Sequence, residues 1–314
     1  MNLRQLRTFV RVGELGSLSK AADRLRIAQP ALSRQMRLLQ AEVGVPLFER
    51  HRRGMQLTPA GHELMERVSG LIRQLDVACE DVRASAGDAR GHVVFGIVPT
   101  VSCVLAARLA QRVAAAHPRL SLRIVESYGG HQIDWLQRGE VDAAIVYGSY
   151  SKLHMPTEEL LEEDLVVVGP PNWDIDAGAP LSMSAFAALP LVLPSRPHGL
   201  RMLLESAAAN VRARLSVRFE ADSYRVLVEL IEAGLGYTSL PLSAIAREVE
   251  DGRLKYAPLV KPKVTRRLVL CTSSAPTSRA TRTVIQLVRT EIAALVNSGV
   301  WQAKLQFTLR PSRR

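Results

Sequence analysis

The first sixty residues carry polar side chains whose types and spacing suit recognition of double-stranded DNA. Gln29 can bond adenine and Arg34 can bond guanine, because each presents two hydrogen-bonding groups to one base edge. Ser33 can contact a base or a phosphate, and Arg37 is predicted to share its polar side. Arg52 and Arg53 follow in a separate basic stretch. Such arginines would hold phosphates and make binding depend on salt.

Positive charge is concentrated in this segment. Residues 1–60 hold eleven Lys or Arg and four acids, whereas the rest of the chain holds 30 and 26. The whole chain of 314 residues carries a formal net charge of +11. A basic charge confined to one small module is the electrostatic signature of a nucleic-acid contact.

Helical spacing predicts the elements that position these side chains. Ser17 or Ser19 can cap a short helix that ends near Leu25, and Pro30 suits the first position of the next helix. A helix before them is predicted from the apolar residues Leu3, Leu6, Phe9 and Val10. The buried face of the helix that begins at Gln29-Pro30 is predicted to be Leu32, Met36 and Leu39. Two short helices with a tight turn place the second in the major groove.

A hairpin is predicted next, because residues 47–50 and 55–58 can pair around a basic tip at 51–54. From Thr58-Pro59 a long helix is predicted, with an apolar residue every three or four positions, as in a coiled coil. Such a seam favours pairing with a second copy of the chain. The residues of this predicted dimerisation seam are Leu64, Val68, Leu71, Leu75, Ala78 and Val82.

From His92 onward, short strands and helices alternate, a pattern typical of α/β folds with parallel-rich sheets. Two such sets predict two lobes, with crossovers near Glu162-Glu163 and near Thr265-Arg266. Ligands of open α/β sheets bind beyond the carboxyl ends of strands. The polar residues predicted to lie there, and so to bind an effector, are Thr100, Ser102, Tyr128, Tyr147, Ser149, Ser195, Arg196, His198 and Ser223. Arg196 is the fixed charge of this set and the candidate anion clamp.

The N-terminal pattern resembles the DNA-binding domain of LysR-type transcriptional regulators. The matching motifs are AAxxL, QPALSRQ, LLQxExG, PLFER and LTPAG, in that order. Two later segments, LLEEDLVVVGPP and LPSRPHGLR, resemble the nitrogen-assimilation-control branch of this family. One departure is Gln40, where the family usually has Glu. We expect this change to alter a local ion pair and not the fold.

The resemblance implies a domain order and a set of roles. A winged helix-turn-helix is expected at 1–58 and a linking helix with a hinge at 59–89. A two-lobed domain like a periplasmic binding protein is expected at 90–300, with lobe I at 90–162 and 267–300, lobe II at 163–266, and a basic tail at 301–314. Gln29, Pro30, Ser33 and Arg34 are the positions that face DNA in the family. The implied protein is a dimer or tetramer that responds to a small effector and recruits RNA polymerase. Residues 99–102 follow the first predicted strand and open a helix, so their amides and hydroxyls could hold a carboxylate, and the effector is expected to be anionic.

The sequence also allows other functions to be considered. The resemblance also permits a regulator that acts without a coinducer. A solute-binding protein would share the second half, but it would need a secretory signal, and the N-terminus does not read as one. An enzyme is disfavoured, because the seven histidines are dispersed and no Walker loop or GxSxG motif is present. No cofactor or metal is expected.

The cysteines bear on redox sensing and location. Cys79, Cys103 and Cys271 are far apart in sequence and lack metal-ligand spacing, and an odd number disfavours a disulfide framework. A redox sensor would need a responsive pair of thiols. We therefore expect a chain that works in the reducing cytoplasm.

Overall fold

The structure is a computed structural model that describes residues 1–51, 54–83, 89–148, 155–175, 178–273 and 277–308. The chain divides into two compact units, residues 1–87 with 135–140, and residues 88–134 with 141–314. Within the described residues, no helix has the length and apolar character needed to cross a membrane.

The first unit is a helical domain with a small hairpin. Asn2 caps the first helix and Ser17 caps the second, since each side chain accepts a hydrogen bond from a first-turn amide. Pro30 lies in the first turn of the third helix. The elements are α1 (Leu3–Leu15), α2 (Leu18–Leu25), α3 (Gln29–Val43), β1 (Phe48–His51), β2 (Gly54–Leu57) and α4 (Pro59–Arg83).

Glycines at two positions allow the hairpin to dock on the turn after α1. Gly16 ends α1 in the left-handed conformation (φ 59°), and its carbonyl accepts from the Met55 amide at 2.9 Å. A Cβ on Gly54 would lie 2.4 Å from the Gly16 oxygen. A side chain at position 54 would therefore push the hairpin away from this turn.

The second unit contains a mixed sheet with helices around it. Strands β3 to β6 are Gly91–Ile97, Leu120–Glu126, Ala143–Tyr147 and Thr157–Gly169. Strands β7 to β13 are Leu181–Ser182, Leu191–Leu193, Val217–Glu220, Thr238–Pro241, Lys255–Val260, Thr265–Thr272 and Ala303–Leu305. Helices α5 to α11 are Pro99–Ala116, Gly129–Gln137, Met183–Ala188, Gly199–Asn210, Tyr224–Glu232, Ala246–Glu250 and Arg279–Asn297, with a 3-10 turn at Leu242–Ala244.

The predicted two-lobed α/β architecture is confirmed, and the sheet is mixed. Strand β3 pairs in parallel with β4 and β5, and β8 pairs in parallel with β9. The long strand β6 pairs antiparallel with β10, β11, β12 and β13. The pair of β6 and β12 is antiparallel because β6 leads from one lobe to the other and β12 returns beside it.

Each lobe has its own apolar core. The core of lobe I draws on residues 89–161 and 268–301, and its largest members include Phe95 and Trp301. The core of lobe II draws on residues 165–264, with Phe186 and Trp173 among them. Residues 162–164 and 265–267 therefore join the two cores.

The expected basic tail at 301–314 begins later than predicted. Trp301 is 1% exposed within the core of lobe I, and β13 pairs with β6. Phe307 also packs against this core. The physical reason is burial of apolar area, since the indole and the alternating apolar residues after it complete the sheet. Residues 309–314 lie outside the described residues.

Candidate functional site

Helix α3 presents a polar face opposite its buried face. Leu32, Met36 and Leu39 are 0%, 3% and 0% exposed and lie in the apolar core of the first unit. The predicted DNA-contact residues on this helix lie at its surface: Gln29, Pro30, Arg34 and Arg37 are exposed and Ser33 is half-buried. The helix can therefore enter a groove without disturbing the core.

The two helices of the motif are held close by small residues and a tight turn. Ala21 and Ala22, on α2, are 0% and 4% exposed, so that α2 approaches its neighbours closely. Arg26 ends α2 in the left-handed conformation (φ 54°). The Thr8 hydroxyl donates to the side-chain oxygen of Gln35 at 3.3 Å, which ties α1 to α3.

Gln40 links the recognition helix to the hairpin. Its side-chain oxygen accepts from the Leu47 amide at 2.8 Å and from the Phe48 amide at 3.1 Å. Phe48 pairs with Leu57 at the open end of the hairpin. Gln40, which stands where the family usually has Glu, thus keeps an acceptor for two amides.

The predicted phosphate contacts of the wing, Arg52 and Arg53, lie outside the described residues.

The predicted seam of α4 divides into two parts. Leu64 and Val68 pack against the apolar core of their own domain, as does Ile72. Leu71 and Leu75 are 57% and 49% exposed, and Ala78 is also exposed. The side chain of Val82 is outside the described set. Val68 is 7% exposed, which leaves it little surface for a second copy, whereas Leu64 is half-buried. Dimerisation through this seam stays a prediction.

A cluster of polar side chains, which we call the interlobe cluster, lies where the two lobes join. It consists of Thr100, Tyr147, Glu163, Ser243, Arg266 and Trp301. Arg266 donates to the Thr100 hydroxyl at 3.0 Å and to the Tyr147 hydroxyl at 2.6 Å. Its guanidinium also stacks 3.6 Å from the centroid of the Tyr147 ring. Burial raises the pKa of Tyr147 far above its ordinary value, so the phenol stays neutral.

Two further predicted residues meet across the lobes. The ring centroids of Tyr128 and His198 are 4.5 Å apart in an edge-on arrangement. Burial lowers the pKa of His198, against a smaller opposing effect of Asp222. Ser195 donates to Asp222 from its hydroxyl at 2.7 Å and from its amide at 2.8 Å. At neutral pH, this group therefore presents an uncharged imidazole beside a carboxylate.

The remaining predicted effector residues are not drawn into the interlobe cluster by any contact of the described chain. Arg196 instead forms an ion pair with Glu205 at 2.8 Å, with both partners in lobe II. Ser102 is half-buried in the first turn of α5, and Ser223 is exposed before α9. Ser149 lies outside the described residues. Glu205 also pairs with Arg201 at 2.6 Å, so one carboxylate serves two guanidiniums, and the anion clamp at Arg196 stays a prediction.

Sequence reasoning missed three central members of the cluster. The sequence pattern marks Glu163 and Arg266 only as crossover positions, whereas in the structure they form an ion pair of 2.8 Å. Trp301, which was assigned to the tail, donates from its indole to Glu163 at 2.8 Å. The available signal was a pair of opposite charges at the two predicted crossovers.

The cysteines give little support to a redox centre. Desolvation raises the pKa of Cys103, and it raises the pKa of Cys271 to about 12. A reactive thiol needs a lowered pKa, because the thiolate is the nucleophile.

Two family models match the chain. The model described as "Bacterial regulatory helix-turn-helix protein, lysR family" matches residues 3–62. The model described as "LysR substrate binding domain" matches residues 86–293.

Relatives and solved structures agree with these models. The chain is 32% identical to the HTH-type transcriptional regulator BbuR of Bordetella bronchiseptica, over 94% of this chain and 91% of the relative. It is 33% identical to the nitrogen assimilation regulatory protein nac of Klebsiella aerogenes, over 78% and 79% of the two chains. A full-length OxyR variant from Pseudomonas aeruginosa superposes with a TM-score of 0.74 at 21% identity, covering 98% of this chain and 99% of that chain.

The match to OxyR shows the fold alone, whereas the family models and BbuR show the family. The family consists of transcription regulators and not of enzymes. The chain therefore belongs to the LysR family of bacterial transcriptional regulators, with a helix-turn-helix that binds DNA and a domain that responds to small-molecule effectors.

Proposed function

We propose that this regulator reads a twofold-symmetric operator with the exposed face of α3. Gln29, Ser33 and Arg34 contact base edges at the start of the helix, and Pro30 sets its entry into the groove. Arg37 contacts phosphate, as do Arg52 and Arg53 from the wing. The observation that carries the proposal is the division of α3 into a buried apolar face and an exposed polar face. The structural relative CbnR has been solved with its target DNA.

A dimer supplies two copies of α3 for the two half-sites. The exposed part of the α4 seam, Leu71, Leu75 and Ala78, is the surface proposed for pairing with a second copy. Contacts between effector domains would join two such dimers into a tetramer that binds two DNA sites. The regulator would act in the cytoplasm, where it can bend the promoter and recruit RNA polymerase, and it has no enzymatic step in this scheme.

A small carboxylate between the lobes is the proposed effector. The N-terminus of α5 lies at the lobe junction, because Thr100 contacts Arg266 there. The N-terminus of α8 lies there also, because its cap residue His198 contacts Tyr128 of the other lobe. Two helix N-termini favour negative charge, and Ser102 adds a hydroxyl group, whereas the Ser195 hydroxyl already donates to Asp222. The ligand must bind one lobe arrangement better than another to shift transcription.

The test of the DNA proposal is substitution of Arg34. Arg34→Ala should remove the preference for one base in each half-site, at a cost of about 1–3 kcal/mol, measured by gel shift on a series of operator variants. Arg52→Ala should instead weaken binding to every sequence. It should also reduce the slope of log K against the logarithm of salt concentration by roughly one.

Arg11→Ala is the matched control. Arg11 pairs with Glu14 on α1, so this change removes one positive charge outside the proposed interface. The proposal fails if Arg34→Ala binds all operator variants as the wild type does, or if Arg11→Ala alters base preference equally.

A further inference from the structure

A buried ion pair lies at the junction of the lobes and has no role in the proposed function. Glu163 lies in β6 and Arg266 in β12, directly opposite each other in the sheet. Their side chains are 1% and 7% exposed, and the shortest distance between the charged groups is 2.8 Å. Burying two charges is costly, so a pair in this place needs further hydrogen bonds.

Glu163 receives those bonds from both lobes. Its oxygen Oε2 accepts from the Trp301 indole of lobe I at 2.8 Å and from the Ser243 hydroxyl of lobe II at 3.3 Å. Its oxygen Oε1 accepts from Nε of Arg266 at 2.9 Å. One carboxylate therefore connects two separately packed cores.

Arg266 is the cation that an incoming carboxylate would otherwise meet. It lies against Thr100 and Tyr147, two of the residues that the sequence predicts to bind an effector. The position opposite its guanidinium is already filled by Glu163. In lobe II, the exposed Arg196 shares the carboxylate of Glu205 with Arg201.

We propose that Glu163 is a resident anion of the effector domain, which occupies Arg266 in place of an external carboxylate and clamps the two lobes without any ligand. An effector that binds between the lobes then gains its affinity from groups other than Arg266. This proposal goes beyond the proposed function, because it concerns the stability of the effector domain when no effector and no DNA are present.

The test is replacement of the internal carboxylate by a soluble one. Glu163→Ala removes CH₂–COO⁻, which is the size of acetate, and leaves Arg266 facing the gap. In the full-length protein, we expect the melting temperature to fall by roughly 6–20 °C. Sodium acetate should raise the melting temperature of the variant by about 3–6 °C at ten times its dissociation constant. The wild type should not respond, because the site is filled.

Three controls separate this effect from general effects of salt and charge. Sodium chloride at equal ionic strength and neutral acetamide should each fail to restore the variant. Glu162→Ala removes a carboxylate from the adjacent position, where it pairs at the surface with Arg267. That variant should melt near the wild-type temperature and should not respond to acetate.

A second variant tests the clamp even where Glu163→Ala does not fold. Glu163→Gln keeps the size of the side chain and an acceptor for Trp301 but removes the charge. Backbone hydrogen exchange in residues 242–244 and 99–103 should become faster than in the wild type. An unchanged exchange rate in Glu163→Gln, or a folded Glu163→Ala that ignores acetate, would overturn the proposal.

Discussion

At the scale of single residues, Gln40 shows how one side chain positions the wing relative to the recognition helix. Two backbone amides, of Leu47 and Phe48, share its side-chain oxygen, and both residues are buried. Gln40→Ala should leave these donors unpaired at a cost of about 1–3 kcal/mol. Their hydrogen exchange should then become roughly 5 to 150 times faster.

Gln40→Glu is the informative comparison. A carboxylate accepts the same two bonds and is a stronger acceptor than an amide. We expect exchange at Leu47 and Phe48 to be as slow as in the wild type, or slower. Equal exchange rates in the Ala and Glu variants would show that the bonds to residue 40 do not hold the wing.

We expect the stability of the effector domain to depend on pH through His198. Burial lowers its pKa in the folded state, whereas in the unfolded chain it titrates near 6.5. Below about pH 6.5 the unfolded chain takes up a proton that the folded chain refuses, so the free energy of unfolding falls as the pH falls. The slope is at most about 1.4 kcal/mol per pH unit.

The matched variant is His198→Asn, which does not titrate and can still cap α8. Urea unfolding between pH 7.5 and 5.5 should show a smaller loss of stability in this variant than in the wild type. Asp222 stays ionised over this range, because bonds from Ser195 lower its pKa. A variant with the wild-type slope would assign the pH dependence to other groups.

At the scale of elements, periodicity predicted which faces are buried but not what buries them. Leu32, Met36 and Leu39 were correctly assigned to a buried face, because the three-helix domain folds locally. The seam on α4 was read as one surface, yet Leu64 and Val68 face their own domain. Spacing of apolar residues gives the direction of a helix face and carries no information about its partner.

The same limit explains what was missed at the lobe junction. Glu163 and Arg266 are 103 positions apart in sequence, and their pairing depends on the antiparallel register of β6 and β12. No local pattern encodes that register. The sequence favours Arg196 instead because it follows a predicted strand, whereas the structure pairs Arg196 with Glu205.

The division of the α4 seam leads to opposite expectations for its two ends. Leu75→Ala should weaken association of full-length chains by about tenfold or more, because an exposed leucine loses its apolar contact in the dimer. Val68→Ala should instead destabilise the N-terminal domain and leave association intact. Sedimentation velocity over a range of concentrations measures the first effect, and thermal unfolding measures the second.

Gln74→Ala provides the control for Leu75, since Gln74 is the exposed neighbour on the same turn. It should leave the dimer unchanged. If Leu75→Ala associates like Gln74→Ala, pairing uses another face of α4.

At the scale of the whole molecule, the end of the chain completes the effector domain. Trp301 contributes to the core of lobe I and donates to the carboxylate that joins the lobes. Strand β13 then adds main-chain hydrogen bonds along β6, the strand shared by both lobes. We therefore expect the stability of both lobes to depend on residues that follow the last long helix.

Two stop codons in the full-length gene distinguish this arrangement from a simple tail. Ending the chain after Thr308 removes six residues, three of them arginines, and it should leave the melting temperature of the effector domain unchanged. Ending it after Val300 removes Trp301 and β13, which should cost about 3–5 kcal/mol for the indole alone. It also removes a hydrogen-bond donor from Glu163, so the loss of stability should extend to lobe II.

Hydrogen exchange resolved by segment should then show faster exchange at the 3-10 turn Leu242–Ala244 as well as in β3 and β5. Faster exchange confined to lobe I would mean that Trp301 stabilises its own core without reaching across the junction.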